Sequence, residues 1–168
     1  SEEELKLLNP WKDQLPMEVF TKTYKSPISD GSGMPRENLK IAKQILEEEG
    51  WFIENGKLVK DGEEFVFEFL IVSPSLEKLA LAFQKTLKTL GITMRVRTVD
   101  SSQYQARLLN YDFDMINAIW RVSLSPGNEQ QFYWGSEVGK EDGSKNYAGV
   151  NSPVVDFLIE KLIGAKTR

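Results

Sequence analysis

The run Glu64-Phe65-Val66-Phe67-Glu68-Phe69-Leu70-Ile71-Val72, followed at once by Ser73-Pro74, decides the fold. It is almost continuously apolar and rich in aromatic and β-branched residues, which suits a strand covered on both faces in a parallel sheet. Ser73-Pro74 then opens a helix, because serine caps well and the fixed φ of proline fits a first turn. Leu76, Leu79, Ala80, Phe83, Leu87 and Leu90 fall at helical spacing along it, and Gly91 supplies the stop. Ile92 to Val99 reads as a second strand, with Ile92, Met94 and Val96 on one face and Arg95 and Arg97 on the other. Asp100, with Gln103 three residues on, predicts a capped helix through about Leu109. Phe113 to Trp120 reads as a third strand. Strand, helix, strand, helix, strand at these spacings predicts an α/β fold of right-handed βαβ units around a parallel sheet.

Outward from this βαβαβ segment the signals are weaker. Upstream, Asn55-Gly56 and Asp61-Gly62 each sit between short apolar runs and predict tight hairpin turns, hence a small antiparallel ribbon. Before it, a helix is expected from about Pro35 to Glu49, with Ile41, Ala42, Ile45 and Leu46 as its apolar stripe and Gly50 as its end. Residues 1–36 hold four of the seven prolines and the tract Ser29-Asp30-Gly31-Ser32-Gly33, and read as an irregular arm or crossover. Residues 37–168 are expected to form one α/β lobe. Downstream of Trp120, residues 121–151 are rich in Gly, Ser, Asn, Tyr and Trp without a period, and so long an irregular stretch usually has a function. A last helix opens at Ser152-Pro153, with Val155, Leu158, Ile159 and Leu162 on one stripe.

Composition removes whole classes of chemistry. The 168 residues contain no histidine and no cysteine, so a Ser-His-Asp triad, a thiol nucleophile, a disulfide and a histidine- or sulfur-ligated zinc site cannot be built from this chain. A net charge of -4 offers no electrostatic footprint for nucleic acid. No apolar run is long enough to span a bilayer. The chain opens on Ser-Glu-Glu-Glu with no basic region and apolar stretch behind it, so an export signal is expected to lie outside this sequence.

Four constellations remain. Asp112 and Asp114, two apart at the start of a strand, could share a face and hold Mg²⁺, or could instead cap the sheet edge by accepting backbone amides. Gly31-Ser32-Gly33 precedes a helix but lacks the lysine of a phosphate-binding loop. Arg95 and Arg97 could bind a carboxylate, although an exposed strand face accounts for them. The fourth group carries more: Trp120, Arg121, Ser123, Ser125, Asn128, Glu129, Gln130, Tyr133 and Trp134 cluster just past the carboxyl end of a parallel strand, where open α/β sheets bind ligands. Rings give contact area at low entropic cost and short polar groups pair with backbone, a combination that fits an extended ligand of mixed polarity; the alternative is that the tryptophans and Tyr133 only pack this long loop against the sheet.

These residues also carry a family resemblance. Arg97-Thr98-Val99-Asp100, Ser102-Gln103-Tyr104-Gln105-Ala106-Arg107, Tyr111-Asp112-Phe113-Asp114-Met115 and Ser125-Pro126-Gly127-Asn128-Glu129-Gln130, with Tyr133-Trp134-Gly135-Ser136 and Gly143-Ser144-Lys145-Asn146-Tyr147-Ala148-Gly149, resemble the oligopeptide-binding components of bacterial ABC importers, solute-binding family 5. The Yej type, associated with peptide and microcin C uptake, is the nearest in pattern. The resemblance implies one lobe of a type II periplasmic-binding-protein fold, cut from the second half of a longer two-lobed protein. It further implies a non-catalytic, periplasmic monomer without a cofactor, which binds oligopeptides in a cleft and hands them to membrane permease subunits. The implied ligand-binding residues are Trp120, Arg121, Ser123, Ser125, Asn128, Glu129, Tyr133, Trp134 and Asn146. The alternative from another class is a Mg²⁺-dependent phosphotransfer or hydrolytic domain using Asp112 and Asp114. One departure stands out: peptide binders of this kind place an aspartate after the Trp-bearing strand to meet the peptide's amino terminus, whereas Trp120-Arg121-Val122-Ser123-Leu124-Ser125-Pro126 has no acid. Either Glu129 takes that role, or the amine is read differently or by the other lobe and Glu129 is solvated or caps a short helical turn starting near Asn128.

Overall fold

A computed structural model describes residues 1–28, 31, 33, 35–122, 124–125 and 127–165. In chain order the helices are α1 (Glu2–Leu8), α2 (Glu18–Thr21), α3 (Arg36–Glu48), α4 (Pro74–Lys88), α5 (Ser101–Leu109), α6 (Glu129–Trp134) and α7 (Pro153–Ile163). The strands are β1 (Phe52–Glu54), β2 (Lys57–Lys60), β3 (Glu63–Glu64), β4 (Val66–Ile71), β5 (Thr93–Thr98) and β6 (Met115–Ile116). The chain forms two compact units, Ile28–Ala118 and Ser1–Pro27 with Ile119–Arg168.

In the unit Ile28–Ala118, β4 is the central strand of a parallel sheet ordered β5-β4-β6. Its carboxyl half is buried on both faces: Phe69, Leu70 and Ile71 are at most 8% exposed. Phe69, Ile71, Ala80 and Met94 form one core cluster, with Phe67, Leu76, Leu87, Val96 and Met115 packed against it. The expected strand Phe113–Trp120 is much shorter. Only Phe69↔Met115 and Leu70↔Ile116 pair, since β4 ends at Ile71 and the next carbonyl, that of Asn117, accepts instead from the Tyr104 hydroxyl at 3.0 Å.

Both hairpin turns are present, Glu54↔Lys57 and Lys60↔Glu63 flanking Asn55-Gly56 and Asp61-Gly62. All four turn residues have positive φ, the conformation of a two-residue turn that matches strand twist. Leu58 of β2 ties this ribbon to the main sheet: its amide donates to the Gly91 carbonyl at 2.8 Å, and its carbonyl accepts from Phe65 at 2.8 Å. A second core gathers there, Leu58, Leu90 and Ile92 packed by Leu39, Ala42, Leu46, Trp51 and Phe65. The inward stripe of α3 is therefore Leu39, Ala42 and Leu46, while Ile41 and Ile45 are exposed, rotated one position from the expected stripe. On α4, Leu79 and Phe83 likewise stay exposed beside a line of buried Ala80 and half-buried Leu76 and Leu87.

The other unit corrects two readings. Residues expected to be an irregular arm carry α1, a 3₁₀ turn at Asn9–Gln14 and α2. Ser1 accepts from the Glu4 amide while Glu4 reaches back to the chain's first amino group, a reciprocal cap that starts α1 despite the lack of a sustained apolar period. Residues 121–151 are not featureless either, since α6 and a 3₁₀ turn at Val138–Lys140 lie within them. Among the described residues no helix is long and apolar enough to cross a membrane.

Candidate ligand site

The segment after β6 folds around Trp120. Its indole stacks on that of Trp134, with ring centroids 5.0 Å apart and planes at 30°. Tyr133 meets it edge-on at 6.4 Å and Tyr147 lies tilted at 6.3 Å. The indole N–H donates to the Lys145 carbonyl at 3.3 Å. Tyr133 is buried, and its hydroxyl donates to the Arg121 carbonyl at 3.1 Å. α6 presents Tyr133 and Trp134 consecutively, and the chain turns extended at Gly135, where a Cβ would come within 2.6 Å of the Gln131 carbonyl oxygen.

A polar bracket holds the cluster from behind. Asn146 is 0% exposed; its side-chain nitrogen donates to the carbonyls of Gly135 at 3.1 Å and Val150 at 2.8 Å, and its oxygen accepts from the Val150 amide at 2.9 Å. A Cβ on Gly139 would sit 2.8 Å from the same amide nitrogen. Next to it, the Ser136 amide donates to Asp156 of α7 at 2.9 Å and the Ser136 hydroxyl accepts from the Ser152 amide at 2.9 Å. Each of these groups would be costly to bury unpaired, so the bracket fixes the loop on α7.

The residues singled out from sequence thus divide. Trp120, Tyr133 and Trp134 come together as one aromatic cluster, half-buried apart from the buried Tyr133. Arg121, Ser125 and Asn128 are exposed in the same segment. Ser123 lies outside the described residues, as do Ser29, Asp30 and Ser32 of the glycine-rich tract. Asn146 spends its amide on the chain's own backbone. Glu129 accepts from the Gly127 amide at 3.0 Å, and this bond first, then its own backbone amide, holds its carboxyl below the ordinary carboxylate range. Tyr147 was not among the candidates, yet it joins the cluster; an aromatic residue inside a glycine-rich loop was the signal. A separate cavity of about 210 Å³ is lined by Ser136, Glu137, Val138, Asp156, Ile159 and Glu160 among others, without the tryptophans.

The Mg²⁺ reading of Asp112 and Asp114 is not supported. Asp114 accepts from the Glu68 amide at 2.8 Å, and Asp112 pairs with Arg107 at 2.9 Å. Arg107 also bonds Glu68 at 2.7 Å, so the two aspartates fasten the entry of β6 to β4. No cluster of three or more acidic side chains suited to a metal occurs among the described residues. Arg95 and Arg97 lie on an exposed strand face.

Comparison with known proteins agrees with this architecture. Residues 12–142 match the family model described as bacterial extracellular solute-binding proteins, family 5 Middle. An uncharacterized protein, y4wM, of Sinorhizobium fredii is 46% identical over 167 residues, 98% of this chain and 25% of its own length. A protein of Agrobacterium fabrum named as the probable peptide-binding protein YejA is 40% identical, over 98% of this chain and 27% of its own. Among solved structures, the oligopeptide-binding protein AppA of Bacillus subtilis in complex with a nonapeptide superposes with a TM-score of 0.67 at 25% identity, covering 97% of this chain and 36% of AppA. The chain spans about a quarter of the length of these curated relatives.

Proposed function

We propose, from the premise that this chain belongs to the bacterial extracellular solute-binding proteins of family 5, that it forms one wall of a peptide-binding cleft in a longer two-lobed protein. The protein serves as the substrate-binding component of an ABC importer and performs no catalysis. The observation that carries this reading is the aromatic cluster Trp120, Tyr133, Trp134 and Tyr147, with Asn146 tying down Gly135 next to Trp134 and with exposed polar side chains on the same segment. Rigid rings offer area to a peptide backbone of any sequence, and exposed Arg121 and Asn128 offer hydrogen bonds. The relatives named or solved as peptide binders support the same ligand class.

In the mechanism that follows, a peptide settles against this wall, the second lobe closes over it and excludes water, and the closed form engages the permease subunits. The protein acts as a periplasmic monomer, and microcin C-like peptides are among its cargo. The test uses an intact protein of the relatives' length containing this segment. Peptides that survive gel filtration with it are identified by mass spectrometry, and the rise of its thermal midpoint with a degenerate tri- to pentapeptide mixture is measured. Retained peptides and a concentration-dependent rise are expected. No retained peptide and no rise at millimolar total peptide would overturn the reading. The 168-residue chain alone should bind only at about millimolar concentration, since one wall leaves much of the ligand in water.

A further inference from the structure

Two cations, Arg121 and Lys145, are attached to the aromatic cluster. The Arg121 carbonyl is bonded by Tyr133 and the Lys145 carbonyl by Trp120, so both residues are anchored by backbone to the rings while their side chains are exposed. Neither side chain has a hydrogen-bond or ion-pair partner among the described residues. The acids of the same segment are differently placed. Glu129 is folded back onto the Gly127 amide at the start of α6, and Glu137 pairs with Lys140 at 2.5 Å. Glu141 and Asp142, in the turn before Lys145, pair with neither cation. On the adjoining helix, Asp156 accepts from the Ser136 amide.

We propose that the Trp120–Trp134 platform receives a carboxylate of its ligand, met by Arg121 and Lys145, and not the ligand's ammonium group. The proposal rests on the peptide-binding reading and adds polarity to it. A guanidinium presents a planar fork that matches a carboxylate, and such charge-assisted bonds strengthen when a closing cleft excludes water. An ammonium placed there would meet two like charges. The carboxylate is that of the peptide's carboxyl terminus or of an acidic side chain.

The experiment uses the intact protein and four degenerate tripeptide mixtures: free, carboxyl-amidated, amino-acetylated, and free but lacking Asp and Glu. If the terminal carboxylate is read, amidation weakens binding about tenfold or more while acetylation and omission of acidic residues cost little. If a side-chain carboxylate is read, omission of Asp and Glu has the large effect instead. In either case Arg121→Gln combined with Lys145→Gln reduces the preference to about threefold or less, and the unliganded thermal midpoint stays put because only the backbone of both residues is used in the fold. A loss on acetylation alone, or a carboxylate preference unchanged in the double variant, overturns the proposal and leaves peptide binding standing. Failure of all four mixtures to bind overturns both.

Discussion

Asn146 and Val150 hold each other reciprocally: the side-chain nitrogen of Asn146 donates to the Val150 carbonyl at 2.8 Å, and the Val150 amide donates back to the Asn146 oxygen at 2.9 Å. With the Gly135 carbonyl bonded as well, one buried amide closes the glycine-rich loop onto the end of α6. Asn146→Ala would leave several buried backbone groups unsatisfied. The expected loss is about 3 kcal/mol or more in chemical denaturation, since each orphaned group costs about 1 to 3 kcal/mol. A loss below about 1 kcal/mol would show that water or a loop shift replaces the bracket.

The two tryptophans should respond unequally. Trp120 touches Trp134, Tyr133 and Tyr147 and donates to Lys145, whereas the ring contact of Trp134 is with Trp120. Trp120→Ala should therefore cost about 3 kcal/mol or more of stability, as for a truncated aromatic with many neighbours. Trp134→Ala should cost about 1 kcal/mol, near the worth of one aromatic pair, and should weaken peptide binding by about 1 to 3 kcal/mol. Equal stability losses, with peptide affinity intact in Trp134→Ala, would move both rings into the core.

Glu129 gives a pH dependence of known sign. Its folded pKa is depressed, so it contributes stability above its unfolded pKa, and that contribution disappears as pH falls through the lower folded value. The stability difference between wild type and Glu129→Gln should be steady near about pH 7 and shrink towards about pH 3. A difference that grows on acidification would mean that the Gly127 amide does not hold the carboxylate in solution.

Gly91 sits where the main sheet and the ribbon meet, with φ at +78° and an added Cβ falling 2.7 Å from the Leu58 nitrogen. Gly91→Ala combines left-handed strain with a backbone clash, and a loss of about 2 to 4 kcal/mol is expected in thermal or chemical unfolding. Gly56→Ala meets no atom within 4 Å, so it isolates the strain alone and should cost about 1 kcal/mol. Similar losses for the two would show that the Gly91–Leu58 contact relaxes freely.

What the sequence by itself determined were features written within a few neighbouring residues. The continuous apolar run of β4, the Ser73-Pro74 opening of α4, the Asp100 cap of α5 and the Asn-Gly and Asp-Gly turns each state their conformation locally, and the βαβαβ spacing gives parallel pairing but not the order, in which β4 is central. The aromatic loop was visible as a cluster of residue types past a strand. Only tertiary structure decided which of those residues face one another, because that depends on partners far along the chain. Asp114 is bound by the Glu68 amide, 46 residues away, so a pair spaced like metal ligands becomes a sheet clip. Trp120 finds Lys145 and Tyr147 some 25 residues on, and Asn146 disappears into the fold because Gly135 and Val150 arrive on either side of it. The length of β6 was decided the same way: at its start the Asp114 side chain takes the Glu68 amide, and beyond its end β4 stops at Ile71.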